Sequence, residues 1–282
     1  MITRRMIDEW VTEDVPYYDL TTELLGTGDV PGSIGFYSRN PAVLACVEAA
    51  QALLERCGLT VTQGARSGER IQPNKVFLAA KGRTDQVHAA WKVTLNLLEY
   101  ACGIATRTAK LVDAAKSVNP DIAVLTTRKV FPGTKAVSIE AAIAGGALPH
   151  RLGLGETIIV FDKHLAKIEG GYTGLAKLLP AMKKRVCDKD ICVEVVSLDD
   201  ALLMAKAGVD VLQFDKVPAD ELLEMVCTVR MLAAEQGNRI KLIAAGGVNA
   251  DNAGAYAETG VDAISTTWVY FGKPADMSVV IE

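Results

Sequence analysis

No two cysteines in this chain form a C-x-x-C pair; the six are scattered at positions 46, 57, 102, 187, 192 and 227. That pattern excludes a zinc ribbon and a dithiol redox motif, and it leaves the thiols as small buried apolar groups in a reducing, cytoplasmic setting. Histidine is scarcer still, with only His88, His150 and His164, which argues against a soft-metal site. No apolar run is long enough to span a bilayer. The first residues, Met1-Ile2-Thr3-Arg4-Arg5-Met6, lead into the amphipathic Ile7-Asp8-Glu9-Trp10 without the apolar core of a signal peptide. A net charge of -4 lacks the broad basic face of a general nucleic-acid binder, so any anion site must be local. No linker rich in Pro, Gly or Ser divides the chain, which predicts tightly packed domains. No GxGxxG opens a βα unit, which counts against a doubly wound dinucleotide fold.

What is present is a hydrophobic half of 282 residues, enough for one large α/β domain or two smaller ones. Organisation changes near residue 100. Downstream, apolar β-type runs at 122–127, 157–162, 191–196, 209–214, 241–245 and 262–266 alternate with segments apolar at helical spacing, such as 198–207 and 218–236. Near-continuous apolar strands joined by helices predict a parallel sheet covered on both faces, curled into a barrel of six or seven strands. Upstream, residues 3–14 and 42–57 read as helices, 32–38 and 75–82 as strands, and 84–117 as one long helix. This predicts an N-terminal α/β domain over 1–100, with 268–282 returning to it, and a barrel domain over 101–267.

The stretch Thr126-Thr127-Arg128-Lys129-Val130-Phe131-Pro132-Gly133-Thr134-Lys135, followed by Pro149-His150-Arg151, gathers cationic side chains just after an apolar strand. Arg offers a planar fork for carboxylate or phosphate and Lys a point charge, so the cluster suits a ligand with several negative groups; a solvated basic loop is the alternative. In βα barrels the functional groups sit at the C-terminal strand ends. Those ends here carry Arg128 and Lys129, then Asp162, Lys163 and His164, then Glu194, Asp215 and Lys216, Gly246 and Gly247, and Thr266 and Thr267. Gly246-Gly247 ahead of a helix reads as a phosphate cradle, which Thr266 and Thr267 could close. Glu194 and Asp215 suit Mg²⁺ beside a polyphosphate, or ribose hydroxyls, or pairing with Lys163 and Lys216.

Several of these residues also fall in the order of a known family. Asp19-Leu20-Thr21-Thr22, Ser38-Arg39-Asn40-Pro41, Thr127-Arg128-Lys129 with Pro132-Gly133, His150-Arg151, Glu194-Val195, Asp215 and Gly246-Gly247 resemble the quinolinate phosphoribosyltransferases, also called carboxylating nicotinate-nucleotide pyrophosphorylases. The resemblance runs almost end to end. It implies an N-terminal α/β sandwich plus an incomplete TIM-like α/β barrel, and a homodimer or higher even-numbered oligomer. It further implies transfer of ribose 5-phosphate from phosphoribosyl pyrophosphate to a pyridine carboxylate, by default quinolinate, with Mg²⁺. By resemblance the acid pocket takes Arg128, Lys129, His150 and Arg151, with Lys92 standing where a partner-contributed arginine lies in the family. The phosphoribosyl pyrophosphate site takes Lys129, Glu194, Asp215, Gly246 and Gly247. Outside that carry-over, the strand-end residues Lys163, Lys216 and Thr266 complete the substrate-binding set, and Glu194 with Asp215 are the metal-holding pair.

The chain departs from the family pattern at Thr126 for Asp, Pro149 for Asn, Phe161 for Lys, Lys163 for Asn, Cys192 for Glu, Lys216 for Asn and Ala245 for Ser. This set resembles the branch called ModD, associated with molybdenum-transport operons. Against an enzyme stands a second possibility, an anion-binding accessory protein linked to molybdate transport.

Overall fold

The computed structural model describes residues 2–282. In chain order the first elements are α1 (Arg4–Asp14), α2 (Leu20–Leu25), β1 (Pro31–Ser38), β2 (Ala42–Val43), α3 (Val47–Arg56), β3 (Thr60–Gly64), β4 (Arg70–Ile71), β5 (Val76–Arg83) and α4 (Thr84–Val118). There follow β6 (Ala123–Thr126), α5 (Lys135–Ala144), β7 (Leu148–Pro149), β8 (Ile158–Val160), α6 (Asp162–Leu165), α7 (Gly171–Arg185), β9 (Ile191–Val195) and α8 (Leu198–Lys206). The last are β10 (Val211–Asp215), α9 (Ala219–Glu235), β11 (Lys241–Ala245), α10 (Ala253–Glu258), β12 (Ala263–Thr266) and β13 (Met277–Ile281). No helix among the described residues is long and apolar enough to cross a membrane.

Contacts divide the chain into two compact units. The first takes the chain up to Ala109, Val130–Ala147 and Val269–Glu282; the second takes Lys110–Lys129 and Leu148–Trp268. This line runs differently from one drawn at residue 100, because α5 brings Ala141, with Val137 and Ala144 beside it, into the core of the first unit.

That first unit is built on an antiparallel sheet in the order β13-β1-β5-β3. Alternation puts Ile34 and Phe36 on one face of β1, opposite Ala80 and Leu78 of β5, and all four are fully buried. In α4 the buried positions Val87, Ala90, Leu98, Ala101, Cys102 and Ala105 recur at helical spacing and join the same core. β13 pairs with β1 from Ile34 opposite Ile281 to Ser38 opposite Met277, so the end of the chain completes this sheet. The helix predicted over 42–57 begins only at Val47. Ala42–Val43 instead bridges Arg70–Ile71, and the backbone N–H groups of Val43 and Leu44 donate to Thr106 Oγ1 and Glu69 O at 2.9 Å each. An apolar run this short carries no period that separates buried strand from buried helix. β3, unread in the sequence, is a mostly exposed edge strand.

The second unit is a curled, all-parallel sheet in the order β7-β6-β12-β11-β10-β9-β8. β7 and β8 are its two edges, so the barrel is incomplete. Helices α7 to α10 form the crossovers, and the outward residues Ile191, Val193, Val195, Leu212, Phe214, Leu242, Ala244 and Ile264 are buried beneath them. The inner face has an apolar floor of Ile159, Cys192, Val211, Ile243 and Ala263, with Ala123, Leu125 and Phe161 packed against it. At the strand starts the charged groups are structural. Asp210 accepts from Ile191 N at 2.9 Å and pairs with Lys183, while Asp262 accepts from Leu242 N at 2.7 Å and Arg230 Nη2 at 2.8 Å. The opposite, C-terminal ends are therefore where unpaired chemistry collects.

Candidate active site

Successive side chains of a strand alternate between faces, so two residues beyond the apolar floor the inner face becomes polar. Above Cys192 stands Glu194, and above Val211 stand Gln213 and Asp215. Register sets Gln213 opposite Glu194, and Gln213 Nε2 donates to Glu194 Oε2 at 3.0 Å. From α7, Tyr172 Oη donates to the Glu194 carbonyl at 2.9 Å, and burial pushes its phenol up to about 12. Burial raises the Glu194 pKa, and the neighbouring Asp215 carboxylate raises it further; Gln213 and Lys129 act in the opposite direction. Two carboxylates thus share one space, with the Lys129 ammonium close enough to be felt.

Past β6 the ladder extends by one bond, from Thr127 N to Thr266 O at 3.0 Å. The Thr127 and Thr267 hydroxyls meet at 2.8 Å, and Thr127 Oγ1 also accepts from Lys129 N at 3.3 Å, which pins the turn presenting Arg128 and Lys129 to solvent. Arg151 follows β7. Burial lowers its pKa, and the Arg128 guanidinium lowers it further, so two like charges are held near each other. Among the described residues neither arginine forms an ion pair. The hydrogen bond of Arg151 Nη1 to Thr157 O is long, 3.4 Å, and its Cζ lies 5.9 Å from the centre of the Phe161 ring.

His150 follows β7, its backbone N–H donating to Thr126 O at 2.9 Å, and among the described residues both ring nitrogens are buried without a hydrogen-bond partner. Burial first, and Arg151 second, depress its pKa, so the ring stays neutral near pH 7; Gln213 favours the protonated ring without reaching hydrogen-bond geometry. The ring thus keeps hydrogen-bonding capacity that no protein group uses.

Gly246 and Gly247 follow β11 at φ +85° and +79°. A Cβ on Gly246 would lie 2.5 Å from Lys216 Cγ and 2.7 Å from Asp215 Oδ1, whereas one on Gly247 would meet nothing within 4 Å. The first glycine lets two loops approach, and the second faces open space. The predicted helix entry does not follow directly. α10 starts at Ala253 and has six residues, and the intervening turn is closed by its own asparagines, with Asn252 Nδ2 donating to Gly247 O at 3.0 Å. Backbone at the glycine turn, not a helix terminus, is what this strand end presents.

Four other sequence candidates stand differently. Thr266 points outward by strand parity and is 2% exposed, its hydroxyl donating to Val248 O at 2.7 Å and accepting from Trp268 N at 3.0 Å. It braces the glycine turn and has nothing left for a ligand; Thr267 is the inward member of the pair. Lys163 and Lys216 are at the rim, 88% and 80% exposed, each ammonium near the carboxylate preceding it in sequence, Asp162 at 3.2 Å and Asp215 at 3.9 Å. Pairs so exposed hold loosely and can give way to a ligand. Lys92 belongs to the first unit, exposed on α4. Sequence reading missed Gln213, Tyr172 and the ring of Phe161. The position of Gln213 two residues before Asp215 on one strand was a legible cue; Tyr172 and Phe161 act through contacts that no local spacing announces.

Residues 19–102 match the N-terminal domain, and residues 104–280 the C-terminal domain, described as quinolinate phosphoribosyl transferase. Over 278 residues, 98% of this chain and 96% of the relative, it is 34% identical to a Pasteurella multocida protein named "Putative pyrophosphorylase ModD". It is 32% identical over 263 residues, 93% and 96% of the two chains, to a "Probable nicotinate-nucleotide pyrophosphorylase (carboxylating)" of Archaeoglobus fulgidus. The fold is shared with the nicotinate-nucleotide pyrophosphorylases of Francisella tularensis (TM-score 0.87, 24% identity, 99% and 95% coverage) and Ehrlichia chaffeensis (TM-score 0.88, 20% identity, 100% and 99%). With both family domains present in order and together spanning most of its length, the chain belongs to the quinolinate phosphoribosyltransferase family of pentosyltransferases.

Proposed function

We propose that the protein transfers the 5-phosphoribosyl group of phosphoribosyl pyrophosphate to the ring nitrogen of a pyridine carboxylate, with quinolinate as the first acceptor to test. The observation that carries this reading is the pairing of two guanidinium groups that have no carboxylate partner among the described residues, Arg128 and Arg151, with an acidic pair, Glu194 and Asp215, on the same unit. Simple anion capture has no use for the acidic pair.

In this reading Arg128, Arg151 and the open ring of His150 hold the acid and orient its ring. Lys129, with the rim ammoniums of Lys163 and Lys216 and the backbone of Gly246-Gly247, receives phosphate oxygens. The bond from ribose C1′ to the pyrophosphate oxygen breaks, the electron pair leaves with pyrophosphate, and the pyridine nitrogen lone pair forms the C1′–N bond. Positive charge developing on the ribose is stabilised by the carboxylate of Glu194, held by Gln213 on a backbone that Tyr172 braces. With quinolinate, the C2–carboxylate bond then breaks, its electron pair enters the cationic ring, CO2 departs, and C2 takes a proton from water.

Among the described residues no group of three or more His, Cys, Asp or Glu is gathered as a metal-ligand set. A repelling pair, Glu194 and Asp215, fits Mg²⁺ held partly by substrate phosphates, as that ion commonly is. Bound there, it would neutralise charge on the leaving pyrophosphate. The assay is pyrophosphate release from phosphoribosyl pyrophosphate, Mg²⁺ and quinolinate. Release well above an Arg128→Ala control is expected, and release at the control level rejects quinolinate. A thermal-shift series tests the wider reading: stabilisation by molybdate with none by phosphoribosyl pyrophosphate or pyridine acids would refute it.

A further inference from the structure

We infer that Phe161 is a positioning residue for the acid-binding guanidinium of Arg151, an assignment that rests on the function proposed above. Arg151 has unusually little to hold it. Among the described residues its one hydrogen bond is the 3.4 Å contact with a backbone carbonyl and no carboxylate pairs with it, while the charge of Arg128 repels it. The face of Phe161 lies against it, with Cζ 5.9 Å from the ring centre. A guanidinium is weakly hydrated and planar, so an aromatic face offsets part of its desolvation without occupying the N–H groups that an acid needs. A carboxylate in the same place would fix the guanidinium more strongly but compete with the ligand for those donors.

Phe161 is itself held from several sides. Its backbone N–H donates to His164 Nδ1 at 3.0 Å, which places the imidazole proton on Nε2. Its ring stacks on the His164 ring, 5.7 Å between centres and 26° between planes. It also packs against the floor made by Ile159, Cys192, Val211, Ile243 and Ala263. Support runs from the floor and His164 to Phe161, from Phe161 to Arg151, and from Arg151 to the acid.

The test uses the full-length protein with Phe161→Leu, Phe161→Tyr and Arg151→Ala, with quinolinate and phosphoribosyl pyrophosphate each titrated by calorimetry and KM measured for both. Leu keeps the apolar contact with the floor, so Phe161→Leu should unfold close to the wild-type temperature while losing the ring face. The expected result is a rise of about 3-fold to 10-fold in Kd and KM for the acid, the range a cation–ring contact of this kind supports. The constants for phosphoribosyl pyrophosphate should stay unmoved, and Phe161→Tyr should restore the acid's. Arg151→Ala weakening acid binding while Phe161→Leu leaves it unchanged overturns this inference and spares the function proposed. Arg151→Ala having no effect on acid binding overturns both. Equal losses for acid and phosphoribosyl pyrophosphate in Phe161→Leu reduce the ring to a packing role and also overturn the inference.

Discussion

Alanine at the two adjacent glycines should separate a structural demand from a functional one. At Gly246 the new Cβ would sit 2.5 Å from Lys216 Cγ, 2.7 Å from Asp215 Oδ1 and 2.8 Å from Lys216 N. The side-chain atom can swing away, but the backbone nitrogen cannot, because Lys216 N is bonded to Ala245 O at 2.7 Å and Lys216 is already at φ +59°. Left-handed strain of about 1–2 kcal/mol adds to overpacking of about 1–3 kcal/mol, so Gly246→Ala should cost about 2–5 kcal/mol. Gly247→Ala has the same kind of φ but open space, and should cost only the strain, about 1–2 kcal/mol. At about 2–4 °C per kcal/mol, circular-dichroism melts should place Gly246→Ala clearly below Gly247→Ala. Calorimetry should then show phosphoribosyl pyrophosphate binding weakened in Gly247→Ala even though it folds, since its methyl enters the open space. Equal melting temperatures for the two variants would refute the close-approach argument. Unchanged ligand binding in Gly247→Ala would remove the glycine turn from the site.

Glu194→Gln should abolish transfer yet raise the melting temperature at pH 7, by about 1–2 °C, the scale of a screened charge interaction. Its folded pKa lies above the unfolded value, so the folded state binds more protons and stability falls as pH rises from the unfolded carboxylate value through the folded one. The gain from the amide should therefore vanish as pH is lowered below that window; a gain that persists there refutes the assignment. Thiol titration should give a fast phase from the exposed Cys187 and Cys227. Cys46, Cys102 and Cys192 should react only on unfolding, because burial raises all three thiols, Cys102 and Cys192 to about 12. A third rapidly reacting cysteine among these would contradict the packing. If the protein works as an even-numbered oligomer with Lys92 reaching the partner's site, mixing inactive Lys92→Ala and Glu194→Gln subunits should restore part of the activity. No recovery from mixtures shown to exchange subunits would reject a shared site.

Much of this molecule was legible without coordinates. Apolar runs such as Ile191–Val195 and Val211–Phe214 have to be buried on both faces, and their alternation with amphipathic helices admits few arrangements besides a parallel sheet wound by crossovers. Polar residues at successive strand ends then had to share a rim, which is why Arg128, Arg151, Glu194, Asp215 and the two glycines could be singled out in advance. Other features depend on which face a side chain takes and on what another segment brings to it. Thr266 and Thr267 are identical in sequence, and strand parity alone turns one into the wall and the other inward. α5 was assigned with the barrel by its place in the chain, but its apolar face completes the core of the first unit. Local composition thus determined the elements and the chemical character of the rim, because burial and hydrogen bonding act on each segment separately. Only the tertiary structure decided that the ladder stays open between β7 and β8, that Gln213 and Tyr172 hold Glu194, and that a phenylalanine lies under the arginine, because these follow from register and packing between residues far apart in the chain.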